Sequence, residues 1–169
     1  GWVGPTVNTK FDDVETWSSY DPCFDKKYRD KICVMDWGDW PIMPMALHAG
    51  IDPYKELDDA ELAEIRKVLR ALFKNTRAVV ADLSTAQRGL MDGSFRALIG
   101  AGTYATSVLR KEGNDHILSI VPEPKDGLNQ GIIWMEATGI SSGSDNPELA
   151  KELVRHMVSP EVAVDLAWT

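Results

Sequence analysis

Gly131-Ile132-Ile133-Trp134-Met135-Glu136-Ala137-Thr138-Gly139-Ile140, then Asp145-Asn146-Pro147-Glu148, then Ser159-Pro160-Glu161: these runs set the order of elements at the end of this 169-residue chain. The first run is rich in β-branched and aromatic residues and reads as a strand over residues 131–140. Each later run places a small polar side chain where it can accept from the free amides of a first helical turn. Each also puts proline at the first helical position and a glutamate at the positive end of the helix. The predicted order is strand, capped helix, capped helix.

Upstream, the same two kinds of signal alternate. Residues 2–8 read as an extended segment interrupted by Gly4 and Pro5, with a short helix near Trp17 and a buried strand over 32–35 that ends at Asp36. A helix over 40–49 tolerates Pro41 and Pro44 near its start and stops at Gly50. The clearest helix covers 59–74: Asp58 and Glu61 make a capping pair, Leu62, Ile65, Leu69 and Leu72 form one stripe, and Lys67, Arg70 and Lys74 lie toward the negative end. Strands at 78–81, 95–100 and 117–121 then alternate with helices at 84–91 and 103–111. Such alternation with short connections predicts an α/β fold, a doubly wound, mixed, mostly parallel sheet with helices on both faces. No repeat, low-complexity tract or linker interrupts it, so residues 1–169 read as a single α/β domain.

A hydrophobic content of 44% supports an ordinary packed core, and no apolar run is long enough to span a bilayer. The chain opens on Gly1-Trp2-Val3-Gly4-Pro5, which is not an export signal. A formal charge of −8 argues against a nucleic-acid partner and is compatible with cationic or zwitterionic small molecules. Cys23 and Cys33 form neither a zinc pattern nor a CxxC motif; they are idle buried thiols or, in an oxidising compartment, a bridge across a small loop. His48, His116 and His156 stand beside no convincing nucleophile and acid, and Ser141, Ser142 and Ser144 lack the strand-elbow-helix setting of a hydrolase serine. The carboxylates are scattered. No catalytic residue, metal site or cofactor is expected.

In doubly wound sheets, ligands collect beyond the carboxyl ends of strands, near helix N-termini. Three segments fit that place. Asp36-Trp37-Gly38-Asp39-Trp40-Pro41 combines two indoles with two carboxylates: the rings of Trp37 and Trp40 suit an ammonium, with Asp39 as counter-charge. The competing use is core packing for the rings and helix capping for Asp39. In Gly100-Ala101-Gly102-Thr103-Tyr104, Gly102 permits close backbone approach and Thr103 opens a helix whose first amides would face a polar ligand group, or the turn only caps that helix. Trp134 and Glu136 fall on one face by the two-residue alternation of a strand, an aromatic wall with an anionic end suited to an amine.

Three passages carry a family resemblance: Trp134 with Glu136, the run NPELAKELVRHMVSPEVAVDLA at 146–167, and ETWSSYDPCFDKKYRDKICVMD at 15–36. Together they resemble the second lobe of bacterial periplasmic solute-binding proteins of ABC importers, in the polyamine (spermidine/putrescine) branch. The resemblance implies one lobe of a type II periplasmic-binding-protein fold, non-enzymatic and periplasmic, excised from a protein about twice this length; the alternative is a natural single-lobe protein. It implies three partners: a small amine or zwitterion, the transmembrane subunits of an ABC permease, and lobe one of the same protein. It also places a tryptophan and an acid separated by one residue in the cleft, at Trp134 and Glu136. The polyamine pattern's acidic pair aligns with Gly38 and Pro41, and an aromatic aligns near Ala101. None of these is retained, although Asp39 substitutes in part, so a smaller amine or ω-amino acid is expected in place of spermidine. The alternative is a ligand-sensing effector domain of a regulator with the same fold.

Overall fold

The computed structural model describes residues 1–166; the final residues of the closing run, Ala167, Trp168 and Thr169, lie outside the described residues. The chain divides into two compact units, Gly1–Trp134 and Met135–Thr169.

In the first unit, strands β2 (Thr6–Asn8), β3 (Ile32–Met35), β4 (Thr76–Val80), β5 (Ala97–Ile99) and β6 (Ile117–Ser119) form a sheet of order β4-β3-β5-β2-β6. Strand β3 runs parallel to β4 and β5, whereas β2 is antiparallel to both β5 and β6. β6 therefore runs with β3, β4 and β5, and β2 is the reversed strand: the sheet is mixed and mostly parallel. A second, two-stranded ribbon pairs β1 (Trp2–Val3) with β7 (Ile132–Ile133).

The strand alternation sorts the core into two layers. Ile32, Val34, Ala97, Ile99 and Val7 pack on one side with Trp17, Met45 and Leu72. Cys33, Met35 and Leu98 pack on the other with Ala86, Leu90, Ala105 and Leu109. Helices α1 (Ile42–His48) and α2 (Asp59–Phe73) supply the first layer, and α3 (Leu83–Met91) and α4 (Thr103–Lys111) the second. All four residues of β3 are buried, as expected of a strand covered on both faces. Cys23 and Cys33 fall into opposite layers and are free. Burial pushes the pKa of both thiols up, that of Cys33 to about 12, and keeps them protonated.

Helix boundaries follow their caps. Asp58 Oδ1 accepts from the Glu61 amide at 2.8 Å while Glu61 Oε2 accepts from the Asp58 amide at 3.1 Å, completing the expected capping box of α2. Asp82 accepts from the amides of Ser84 and Thr85 at 3.2 and 2.9 Å and starts α3. α1 starts at Ile42, two residues later than expected, because residues 40 and 41 form a turn in which the Asp39 carbonyl accepts from Ile42 and Met43.

The second unit contains α5 (Pro147–Met157) and α6 (Pro160–Leu166). Both helices begin at the expected prolines, but the expected side-chain caps are not made. Asn146 adopts φ −133°, ψ 63° without a cap bond, and its amide donates to Ser144 Oγ at 3.3 Å. Ser159 Oγ has no partner among the described residues. The strand expected over residues 131–140 also contracts. Only Ile132–Ile133 is a strand, because β1 offers only Trp2 and Val3 as ladder partners and the Trp134 amide makes the last bond, to the Gly1 carbonyl at 3.0 Å.

Candidate functional site

The carboxyl ends of β3, β4 and β5 meet at one edge of the sheet, and the reversal of β2 brings the chain arriving from β1 to the same edge. Three contacts fix the loop between β3 and α1 there. The Asp36 amide donates to the Val80 carbonyl at 2.8 Å, and Trp37 Nε1 donates to the Ala81 carbonyl at 3.1 Å, which ties the indole to the end of β4. At Gly100, φ is +93° and an added Cβ would lie 3.1 Å from Pro41, so glycine lets the start of α1 settle against the end of β5.

Four aromatic rings close a circuit at this edge. Centroids are 5.7 Å apart for Trp37 and Trp40, 6.0 Å for Trp40 and Trp134, 6.2 Å for Trp134 and Tyr104, and 5.6 Å for Tyr104 and Trp37. Three of the four pairs meet edge to face, an arrangement favoured by the ring quadrupoles. In any such quadrilateral, the midpoint between two opposite centroids lies no farther from all four than the longest side, here 6.2 Å. That is the reach of a cation–π contact, about 6 Å. Trp37, Trp40 and Trp134 are half-buried, and Tyr104 is 40% exposed.

The sequence brought forward Trp37, Trp40 and Trp134, and the structure unites them. Tyr104 was missed as a site residue. It stands three positions beyond Ala101, which is itself fully buried; the available signal was its place in the first turn of α4, directly after Gly102 and Thr103. Those two residues hold β1. Thr103 Oγ1 accepts from the Trp2 amide at 3.0 Å and donates to the Trp2 carbonyl at 3.3 Å. Gly102 has φ +59°, and a Cβ there would collide with the Trp2 carbonyl and Val3. Asp39 is exposed, and its carbonyl starts α1. Glu136 is exposed in the second unit, beyond the end of β7, so strand alternation no longer sets its direction.

Beside Trp40 and Trp134 opens a pocket of about 190 Å³, lined in addition by Val3, Met43, Tyr54, Ile132 and Ile133. Trp134 Nε1 is buried without a hydrogen-bond partner among the described residues. The described residues assemble no group of three histidines, cysteines or acids able to hold a metal ion, and no described helix is long and apolar enough to cross a membrane.

Comparison with known proteins identifies the architecture. In fold the chain is similar to the spermidine/putrescine ABC transporter substrate-binding protein PotD of Streptococcus pneumoniae, with a TM-score of 0.59 and 20% identity over 72% of this chain and 36% of that one. It is similar to a candidate spermidine/putrescine ABC transporter of Listeria monocytogenes, with a TM-score of 0.68 and 16% identity over 96% of this chain and 48% of that one. A ferric binding protein of Campylobacter jejuni gives a TM-score of 0.57 and 14% identity over 95% of this chain and 51% of that one. The chain thus spans about half, or less, of the length of these relatives, and its α/β unit is one lobe of a type II periplasmic-binding-protein fold. No curated protein sequence matches significantly. Residues 4–168 match the family of bacterial extracellular solute-binding proteins, and over that span the chain belongs to it.

Proposed function

We propose that this chain is the second lobe of a substrate-binding protein that presents a small amine-bearing solute, with a carboxylate or other acceptor at its far end, to an ABC importer. The circuit of Trp37, Trp40, Trp134 and Tyr104 carries the reading, because four aromatic centroids lying about the reach of a cation–π contact from a common point suit a positive charge. Asp36 and Asp39 stand in the same loop, and the chain's formal charge of −8 adds a field that favours cations. Trp134 Nε1, which has no partner among the described residues, is a donor that a zwitterion's carboxylate would satisfy. A metal ion is disfavoured, since the circuit offers carbon faces and one phenol where a ferric ion needs several oxygen or nitrogen donors.

Gly102 and Thr103 contribute through the seating of β1 and of the helix that carries Tyr104. Asp39 and Glu136 are proposed as counter-charges, each in its own unit. Lobe one closes over the ring edge and removes water, which strengthens the charge contacts. The permease's transmembrane subunits receive the solute, the protein resides in the periplasm, and it performs no chemistry on its ligand.

Titration calorimetry on the complete protein that carries this chain tests the reading with γ-aminobutyrate, putrescine and spermidine and their N-methylated derivatives. At least one amine is expected to bind, and Trp40→Ala to weaken it roughly tenfold or more, the scale of one desolvated cation–π contact. Absence of binding across the amines, or an unchanged affinity in the variant, would overturn it.

A further inference from the structure

We infer that the cationic end of the solute is an N-methylated ammonium, held by ring faces and methyl packing in place of hydrogen bonds. The inference rests on the amine reading above and narrows it.

A primary ammonium carries three N–H donors, and each needs an acceptor once the site closes and water leaves. The ring circuit is poor in acceptors. Indole nitrogens only donate: Trp37 Nε1 is already given to the Ala81 carbonyl, and Trp134 Nε1 is a donor with no partner among the described residues. Thr103 Oγ1, next in sequence to Tyr104, is used twice by the backbone of Trp2. Within the circuit, that leaves the Tyr104 hydroxyl as the side-chain acceptor.

The pocket that continues from Trp40 and Trp134 has the same character. Val3, Met43, Ile132 and Ile133 line it with carbon and sulfur, and Tyr54 adds a second phenol. Asp36 and Asp39 are exposed to water, where they act by field. A methylated ammonium suits this arrangement. It has fewer N–H groups to satisfy, or none, it spreads its charge over methyl carbons, and those carbons bury against aromatic faces, the usual mode for quaternary ammonium ligands.

The decisive measurement compares γ-aminobutyrate with its N-monomethyl and N-trimethyl derivatives on the complete protein, because the three share chain length and carboxylate and differ only at nitrogen. Affinity is expected to rise with each step, the trimethyl form binding about 30-fold more tightly than the primary amine, the scale of desolvated cation–π and methyl burial together. Tyr104→Phe keeps the ring and should keep most of that preference, whereas Tyr104→Leu removes a ring at a 40% exposed position with little risk to folding and should reduce the preference to about threefold. Equal or tighter binding of the primary amine would overturn the inference while leaving the amine reading intact. A preference unchanged in Tyr104→Leu would move the selectivity away from this circuit and overturn it as well. If no member of the series and no polyamine binds, the amine reading fails and the inference with it.

Discussion

The two units of this chain use the same local grammar to different ends. In the first, α3 begins on an Asp82 cap and buries Ala86, Gly89 and Leu90. In the second, α5 begins on Pro147, carries Glu148 in its first turn and Arg155 and His156 in its last, and adds a Lys151–Glu148 pair at 2.6 Å, yet buries none of its residues. Leu149 and Leu153, one turn apart, remain 69% and 58% exposed. Terminal signals and an apolar stripe are enough to write a helix; a core also needs an opposing surface, which a unit of this size does not supply from its own residues.

The largest expected difference follows from burial. Leu98 is fully buried in the layer beneath α3 and α4, so Leu98→Ala should cost about 2–5 kcal/mol by loss of transfer free energy plus a cavity. Leu153→Ala in α5 should cost less than about 0.5 kcal/mol. Denaturant unfolding of the 169-residue chain followed by tryptophan fluorescence measures both. A Leu153→Ala cost equal to that of Leu98→Ala would break the contrast, because it would mean that α5 is packed as tightly as the sheet.

A backbone comparison comes next. Gly102→Ala must hold alanine at φ +59° and drive its Cβ into the Trp2 carbonyl, at a cost of roughly 1–3 kcal/mol of strain. It should also speed amide exchange at Trp134, whose amide is bonded to Gly1 beside β1. In the second unit, a Cβ at Gly143 would meet only Ser141 Oγ at 3.8 Å, so Gly143→Ala should change the melting temperature little. Equal shifts in the two variants would show that β1 is not seated by Gly102.

These contrasts explain what could be read in advance. The Asp58–Glu61 box, the stripe of α2 and the span of α4 depend on neighbours within a few positions, and the sequence displays them. The place of β2, reversed between β5 and β6, depends on partners about ninety to a hundred and ten positions away, which no local pattern encodes. The strand expected over 131–140 failed for the same reason: its composition is β-like throughout, but β1 sets the paired length at two residues. Trp37 and Trp40 were legible as two indoles in the loop after a strand, and Trp134 through its pairing with Glu136 in the expected strand. Tyr104 joins them only through the turn that Gly102 makes, and Glu136 lost its assigned direction when the strand that was to carry it ended at Ile133.

The smallest expected effect separates the two helix starts by pH. The Asp82 carboxylate is hydrogen-bonded first by the Thr85 side chain, then by Ser84 Oγ and by the Thr85 and Ser84 amides, bonds that favour its charged form and hold its pKa at about 2, below the ordinary 3.8. A carboxylate depressed on folding contributes stability that is fully present above its ordinary value and is lost as pH falls from about 4 through about 2. Asn146, at the start of α5, is uncharged and makes no side-chain cap bond, so it has no such contribution to lose. Followed by NMR, the amide shifts of Ser84 and Thr85 should titrate with a midpoint near 2, and Asp82→Asn should abolish that titration while leaving the first turn of α5 unchanged. A midpoint at the ordinary 3.8 would detach the carboxylate from those amides and erase the distinction between a helix fastened by its cap and one started by proline alone.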